Sequence, residues 1–449
     1  MFVRRTPACS FDARRRGRWT PSCSFDAAMA SRRRRIRRRL ADNEAFCAHT
    51  GVSHTHRRRR LTHAHTTHTG VSHTRARRRP ATGHYGGTVR IIVAPDSFKG
   101  TATAASIAAA VRDGWLAERP DDDVVLVPMA DGGEGTLDAF ESAVPGSVRV
   151  PVTVTGPAGA PVDTHWLRLP DGRAVVELAA TSGLPLLDAP MPDTATSRGF
   201  GEAIAAALDA GATGLVLGIG GSASTDGGRP VLEALGLDEE QSGTGTGGLR
   251  LLPPLGVTVL TDVISPLLGP TGAAAVFGPQ KGITPDRVAS FDDRLAIWAA
   301  RFPDVDPSTP GAGAAGGVGF GLLVWGATLA GGAAAVAEVL GLPALLGGND
   351  IVNGTDVNAA DVVISGEGRF DGQSAVGKVP SVVRDLTAAH APGARSMLVA
   401  GAIEAPLDDY VAAASLTVLA TQTTGEPDDA LADPLRFATI AGQRLARLA

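Results

Sequence analysis

One repeated unit constrains this fold more than any other feature: a short apolar run, a loop of glycine and acid, then a helical pattern. Val89–Ala94 leads into Pro95-Asp96-Ser97-Phe98-Lys99-Gly100, and an alanine-rich helical stretch follows over Ala102–Glu118. Val124–Val127 leads into Ala130-Asp131-Gly132-Gly133-Glu134-Gly135-Thr136, and a helical pattern runs to Ala143. Leu215–Ile219 leads into Gly218-Ile219-Gly220-Gly221-Ser222-Ala223-Ser224-Thr225-Asp226-Gly227-Gly228, with a helix over Val231–Leu235. Val257–Leu260 ends in Thr261-Asp262, and Ala360–Ile364 ends in the loop Ser365–Gln373, which carries Gly366, Glu367, Gly368, Arg369 and Asp371. Nearly continuous apolar runs of this length read as strands buried on both faces. Strands alternating with helices imply parallel sheets of the α/β class. Ligands of such sheets bind at the carboxyl ends of the strands, where all these acids lie.

Between residues 148 and 179 the pattern changes. Val150–Val154, His165–Leu169 and Arg173–Leu178 are short β runs punctuated by Gly156-Pro157, Gly159 and Asp171-Gly172, with no helix between them. A second, α+β domain is expected there. Thr196–Ala210 reads as a helix, residues 236–257 as a loop, and Phe277–Gly282 as a polar turn carrying Lys281. Pro310–Gly321 is nearly all small residues. It suits either a backbone surface against a ligand or close helix packing and a hinge. Ser396–Ala400 and Leu416–Leu419 read as strands, and Pro434–Leu448 as the closing helix.

Charge divides the chain of 449 residues into two unlike parts. Residues 1–88 hold 21 arginines against four acids, for a net charge of +17, while residues 89–449 carry 21 basic and 42 acidic residues, for −21. All three cysteines (Cys9, Cys23, Cys47) fall in the first part. That segment repeats itself: Cys9–Ala13 recurs as Cys23–Ala27, and His49–Thr55 as His68–Thr74. It has almost no aliphatic periodicity and reads as disordered. A nucleic-acid arm, an Arg-rich targeting peptide and a metal-binding tract are its functional readings. The favoured expectation is an upstream extension, with the real start near Val89. The acidic, cysteine-free body argues against nucleic acid as its partner and suits a reducing compartment; the expected location is the cytoplasm. No apolar run reaches the roughly 18–20 residues of a membrane span.

The loops themselves point to phosphate chemistry. The body has three lysines, Lys99, Lys281 and Lys378, and each lies in one of the glycine-rich turns. Carboxylates for Mg²⁺, cations for phosphates and free N–H groups are the parts phosphoryl transfer uses. The body has no cysteine nucleophile, and its histidines are only His165 and His390, which leaves no material for a histidine triad. The Walker pattern and a GxGxxG after the first strand are both absent.

Taken in order, the motifs resemble those of a known family. They are APDSFKG from Ala94, ADGGEGT from Ala130, the GIGGSAxxDGG stretch from Gly218, PLLGP from Pro266, FGPQKG from Phe277, PGAGAAGG from Pro310 and GEGRxDGQ from Gly366. Together they identify residues 89–449 as a member of the bacterial glycerate kinase family, type I. The resemblance implies ATP- and Mg²⁺-dependent phosphorylation of D-glycerate, usually to 2-phosphoglycerate. It also implies a Rossmann-like domain, 89–147 with 315–449, an inserted domain, 148–314, and a site in the cleft between them. A homodimer is an open expectation.

Within that resemblance, Asp226 or Asp131 is expected as the base. The other, or Asp262, falls on Mg²⁺ together with Glu134. Lys99 and the N–H groups of Gly220, Gly221 and Ser222 face phosphates. Asp96, Ser97, Gly366, Glu367 and Gly368 flank the nucleotide. Lys281, Arg369 or Lys378 takes the glycerate carboxylate, with Asp371 nearby; a planar bidentate clamp favours Arg369. The chain departs from the family pattern at Thr225 and Ser265, where amide side chains are usual, and at Arg229-Pro230, where small residues are usual. Each lost amide removes a hydrogen bond worth about 0.5–1.5 kcal/mol. Two further readings stay open: a kinase for another small hydroxy acid, and a silent nucleotide-binding sensor with the arginine tail as a nucleic-acid arm.

Overall fold

A computed structural model describes residues 88–98, 100–238, 247–350, 355–372, 374 and 378–449. The expectations for residues 1–87, and the one for Lys99, lie outside the described residues.

Two sheets organise the body. Strands β1 (Arg90–Pro95), β2 (Asp123–Leu126), β11 (Val362–Phe370), β12 (Arg395–Ile403) and β13 (Ala412–Ser415) form an all-parallel sheet in the order β13-β12-β11-β1-β2. Strands β3 (Val148–Thr155), β4 (Pro161–Arg168), β5 (Arg173–Glu177), β6 (Gly214–Gly218), β7 (Val257–Leu260) and β8 (Thr328–Ala330) form the second sheet in chain order. It is antiparallel from β3 to β5 and parallel from β5 to β8. A two-stranded ribbon, β9 (Asn349–Asp350) with β10 (Thr355–Asp356), stands apart.

The apolar runs of the sequence become strands because both of their faces are covered. Ile91 and Val93 of β1 pack with Ile107, Trp115, Phe437 and Leu445 of the helices Ala104–Glu118 and Pro434–Ala446. Ile92 and Ala94 point the other way, into a core shared with Val175, Val216 and Leu260 of the second sheet. That core also holds Leu137 and Phe140, Val336, and Val383, from helices Thr136–Ala143, Gly332–Val339 and Val379–His390. On the far face of the second sheet, Ala174, Val176, Leu215 and Leu217 pack against Phe200, Ile204, Phe291 and Phe320. A helical layer thus lies between the two sheets, and the even–odd alternation of each strand divides its side chains between the cores.

The second sheet's last strand is β8. Two sequence expectations are corrected here. Gly366–Phe370, expected as loop, continues β11. Leu416–Leu419, expected as a strand, opens a helix over Leu416–Thr424, with the Ser415 hydroxyl accepting from the Val418 N–H. The strand there is the preceding Ala412–Ser415, whose alanines carry no β signal.

Candidate active site

The carboxyl ends of β1, β11, β2, β6 and β7 bring most of the expected residues together. After β1, Asp96 is buried and its N–H donates to the Gly366 carbonyl at 2.8 Å. Its Oδ1 accepts the Ser97 N–H at 2.7 Å. Gly366 has no room for a side chain, because a Cβ there would lie 2.3 Å from the Val399 carbonyl oxygen. Glu367 is buried next to it, 3.9 Å from the Lys378 ammonium. Gly368 follows in the same strand.

The acidic loop after β2 is wedged between the ends of β6 and β7. The Gly220 N–H donates to the Gly132 carbonyl at 2.9 Å, and a Cβ on Gly220 would lie 2.5 Å from Gly133 Cα. The Gly332 N–H donates to Asp262 Oδ1 at 2.7 Å, and Gly332 in turn lies against the Asp131 carbonyl. Asp131 is half-buried, with Oδ1 accepting the Gly133 N–H at 3.0 Å. Glu134 and Asp262 are exposed.

Glu177, at the end of β5, is a site residue that sequence reasoning missed. It is buried, and its carboxylate accepts the Leu137 N–H at 3.0 Å and the Gly135 N–H at 3.4 Å. Burial pushes its pKa up to about 7, the two N–H groups pull it down, and the charges of Asp138 and Glu134 push it up further. Its only sequence signal was an acid closing the run Arg173–Leu178, without a glycine beside it.

Past Gly220 the chain turns inward. Ser222 bridges to Gly183, and the Ala223 N–H donates to the Ser182 carbonyl at 3.0 Å. Lys281, expected in an open polar turn, is only 2% exposed. Its ammonium donates to Ser222 Oγ at 2.6 Å and to the Ser224 carbonyl. Burial lowers its pKa to about 7, and the charge of Asp226 opposes that fall. Asp226 accepts the Ser197 N–H at 2.8 Å and the Gly228 N–H at 3.1 Å. Burial raises its pKa; the Ser197 and Gly228 N–H groups and the Ser224 hydroxyl act against the rise.

The small-residue run closes over this pair. A Cβ on Gly316 would lie 2.1 Å from the Ser224 carbonyl oxygen and 2.9 Å from the Lys281 Nζ, and Gly316 has a φ of +71°. Of the two readings of Pro310–Gly321, close packing holds at this point. Beside Asp226, a cavity of about 420 Å³ is lined by Thr225, Arg229, Arg294, Trp298 and Arg301.

Two expected residues stand further out. Arg369 is exposed and pairs with Glu404 at 3.4 Å, and the Asp371 N–H donates to Ser374 Oγ at 3.0 Å. Among the described residues, no group of three or more His, Cys, Asp or Glu side chains is placed to hold a metal ion. Mg²⁺ commonly needs only one or two carboxylates when phosphates complete its shell, and single acids such as Glu134 and Asp262 fit that mode. No described helix is long and apolar enough to cross a membrane.

Parallel strands that end in glycine-lined, acid-bearing loops carry the parts that a phosphoryl-transfer enzyme of the α/β class uses. Comparison with known proteins makes this specific. The Glycerate kinase family model matches residues 91–449. Glycerate kinase from Bacillus subtilis (strain 168) is 42% identical over 65% of this chain and 80% of that protein. Glycerate 2-kinase from Escherichia coli (strain K12) is 39% identical over 66% of this chain and 82% of that protein. A crystal structure provisionally assigned as glycerate kinase 2 from Salmonella typhimurium LT2 matches with a TM-score of 0.65 and 35% identity, covering 81% of this chain and 98% of that one. The chain belongs to the glycerate kinase family.

Proposed function

We propose that this protein transfers the γ-phosphoryl group of ATP to D-glycerate, giving 2-phosphoglycerate. The observation that carries this reading is the wedging of the Asp131–Gly133 loop between Gly220 and Asp262. It gathers an accessible carboxylate, a second carboxylate and a glycine-rich turn at adjacent strand ends. Asp131 is the base. It takes the proton of the glycerate hydroxyl as that oxygen forms its bond to phosphorus and the bond from the γ-phosphorus to the bridging oxygen of ADP breaks. Of the two expected acids Asp131 is favoured, because both oxygens of Asp226 are held by backbone N–H groups and its charge is set against Lys281.

The N–H groups of Gly221 and Ser222, with Lys99, donate to phosphate oxygens, while the Gly220 N–H, expected among them, is held by the Gly132 carbonyl. Asp96, Ser97 and the Gly366–Gly368 segment flank the nucleotide. Mg²⁺, held by Glu134 and Asp262, would neutralise phosphate charge. Arg369 and Lys378 supply the cations for the glycerate carboxylate. Lys281 instead holds the turn Ser222–Ser224 in shape.

An ATP-consumption assay with D-glycerate, with the phosphate position read by NMR, tests the reading. Turnover to 2-phosphoglycerate is expected, and no turnover by folded protein rejects it. A kinase for another small hydroxy acid is the second reading, favoured by Thr225, whose buried Oγ1 has no hydrogen-bond partner. A panel of hydroxy acids in the same assay separates the two.

A further inference from the structure

Glu177 closes β5 of the second sheet, yet its carboxylate serves a helix that follows β2 of the first. That helix, Thr136–Ala143, comes directly after the acidic loop. Its N-cap residue, Gly135, has a left-handed backbone (φ 92°) and no side chain with which to cap. Asp138, in the helix's first turn, is paired with Arg149. The orphan N–H groups of a helix start need acceptors when they are buried. Glu177, 40 residues along the chain from Leu137, supplies both.

We propose that Glu177 is a positioning residue for phosphoryl transfer, a latch that fixes the Asp131–Gly135 loop to the second sheet and so sets where Asp131 and Glu134 stand. The proposal rests on the kinase reading of that loop. A carboxylate can accept from both N–H groups at once. A glutamine cannot, because its amide nitrogen would face one of them. Among the described residues, the charged groups acting on Glu177 include Asp138 and Glu134, with Arg149 paired to Asp138. As pH falls through about 7 the carboxyl gains a proton, and one helix N–H is left with the weaker acceptor of a hydroxyl oxygen. The loop is then held more weakly at one of its two points.

Global stability moves the other way. The folded pKa of about 7 lies above the ordinary 4.5, so the unfolded chain loses this proton first as pH rises. The contribution of Glu177 to stability is present in full below pH 4.5 and is lost as pH rises through about 7. A merely structural glutamate would let activity follow stability. A latch makes kcat rise with pH while Glu177's contribution to stability falls.

The test is Glu177→Gln in the full chain, with kcat, KM and Tm followed from about pH 6 to 8.5 across the predicted transition. Expected are a wild-type acid limb near pH 7, a kcat at least tenfold lower at pH 8 in the variant, and loss of that limb. Lys281 titrates in the same range. A limb and a kcat that both persist in folded Glu177→Gln therefore overturn the proposal. If the variant does not fold, amide exchange of the wild-type 131–140 segment decides, corrected for intrinsic rate. More protection at pH 8 than at pH 6 supports the latch, and equal protection rejects it. Exchange needs no substrate, so a wild-type protein that fails to phosphorylate glycerate would reject the kinase reading without touching the exchange result.

Discussion

The loop at Asp131 and the turn at Asp226 are the same object in the sequence: an apolar strand, an acid among glycines, then a helix. The structure makes them opposites. Asp131 is half-buried, its Oδ1 accepts the Gly133 N–H in a local turn, and the loop's rigidity comes from backbone wedged against backbone. Asp226 is tied by two N–H groups, set against a buried ammonium, and roofed by Gly316. An acid among glycines therefore does one of two jobs, and only its neighbours in space decide which. Where a lysine from a distant turn arrives to be buried, the acid stabilises. At Asp131 the side chain stays half-exposed, as the proposed base requires.

The sharpest way to break this comparison is Asp131→Asn. If Asp131 is the base, kcat falls by about 10²–10⁴-fold while Tm barely moves. A kcat within a fewfold of wild type would hand the role to another acid. Next in size is Lys281→Met, which leaves Ser222 Oγ and the Ser224 carbonyl without their buried donor. An unsatisfied buried polar group costs about 1–3 kcal/mol, read in urea unfolding. Adding Asp226→Asn should recover part of the loss, since the charge that Lys281 opposes goes with it. A double variant as unstable as the sum of the single ones would show that the two side chains do not act as a pair. Third is Gly316→Ala. Its methyl meets the Ser224 carbonyl and the φ of +71° resists any side chain, so about 1–3 kcal/mol is lost to overpacking. A stable variant would mean that the roof gives way.

How much of this was legible follows from where each signal resides. The strands β1, β6, β7 and β11 could be read because burial on both faces forces an unbroken apolar run. The acids at their ends could be read because glycine beside a carboxylate is rare without a reason. What escaped depends on contacts across the fold. The strand character of Gly366–Phe370 was hidden, since its glycines look like a turn until Val399 is seen to press on Gly366. The burial of Lys281 was hidden because a lysine in a polar turn normally faces water. Glu177 was hidden most completely. Its partners are backbone N–H groups, which leave no trace in side-chain spacing.

The smallest expected effect is also the one that locates the substrate's carboxylate. Arg369 is 60% exposed at its side chain, and its pair with Glu404 is an open ion pair at 3.4 Å. Such pairs contribute about 0–1 kcal/mol, so Arg369→Gln should leave Tm within measurement of wild type. If Arg369 meets the glycerate carboxylate, the lost attraction is of the same exposed kind. KM for glycerate should then rise less than about tenfold, with KM for ATP and kcat unchanged. A glycerate KM that does not move would shift the carboxylate to Lys378, 3.9 Å from the buried Glu367.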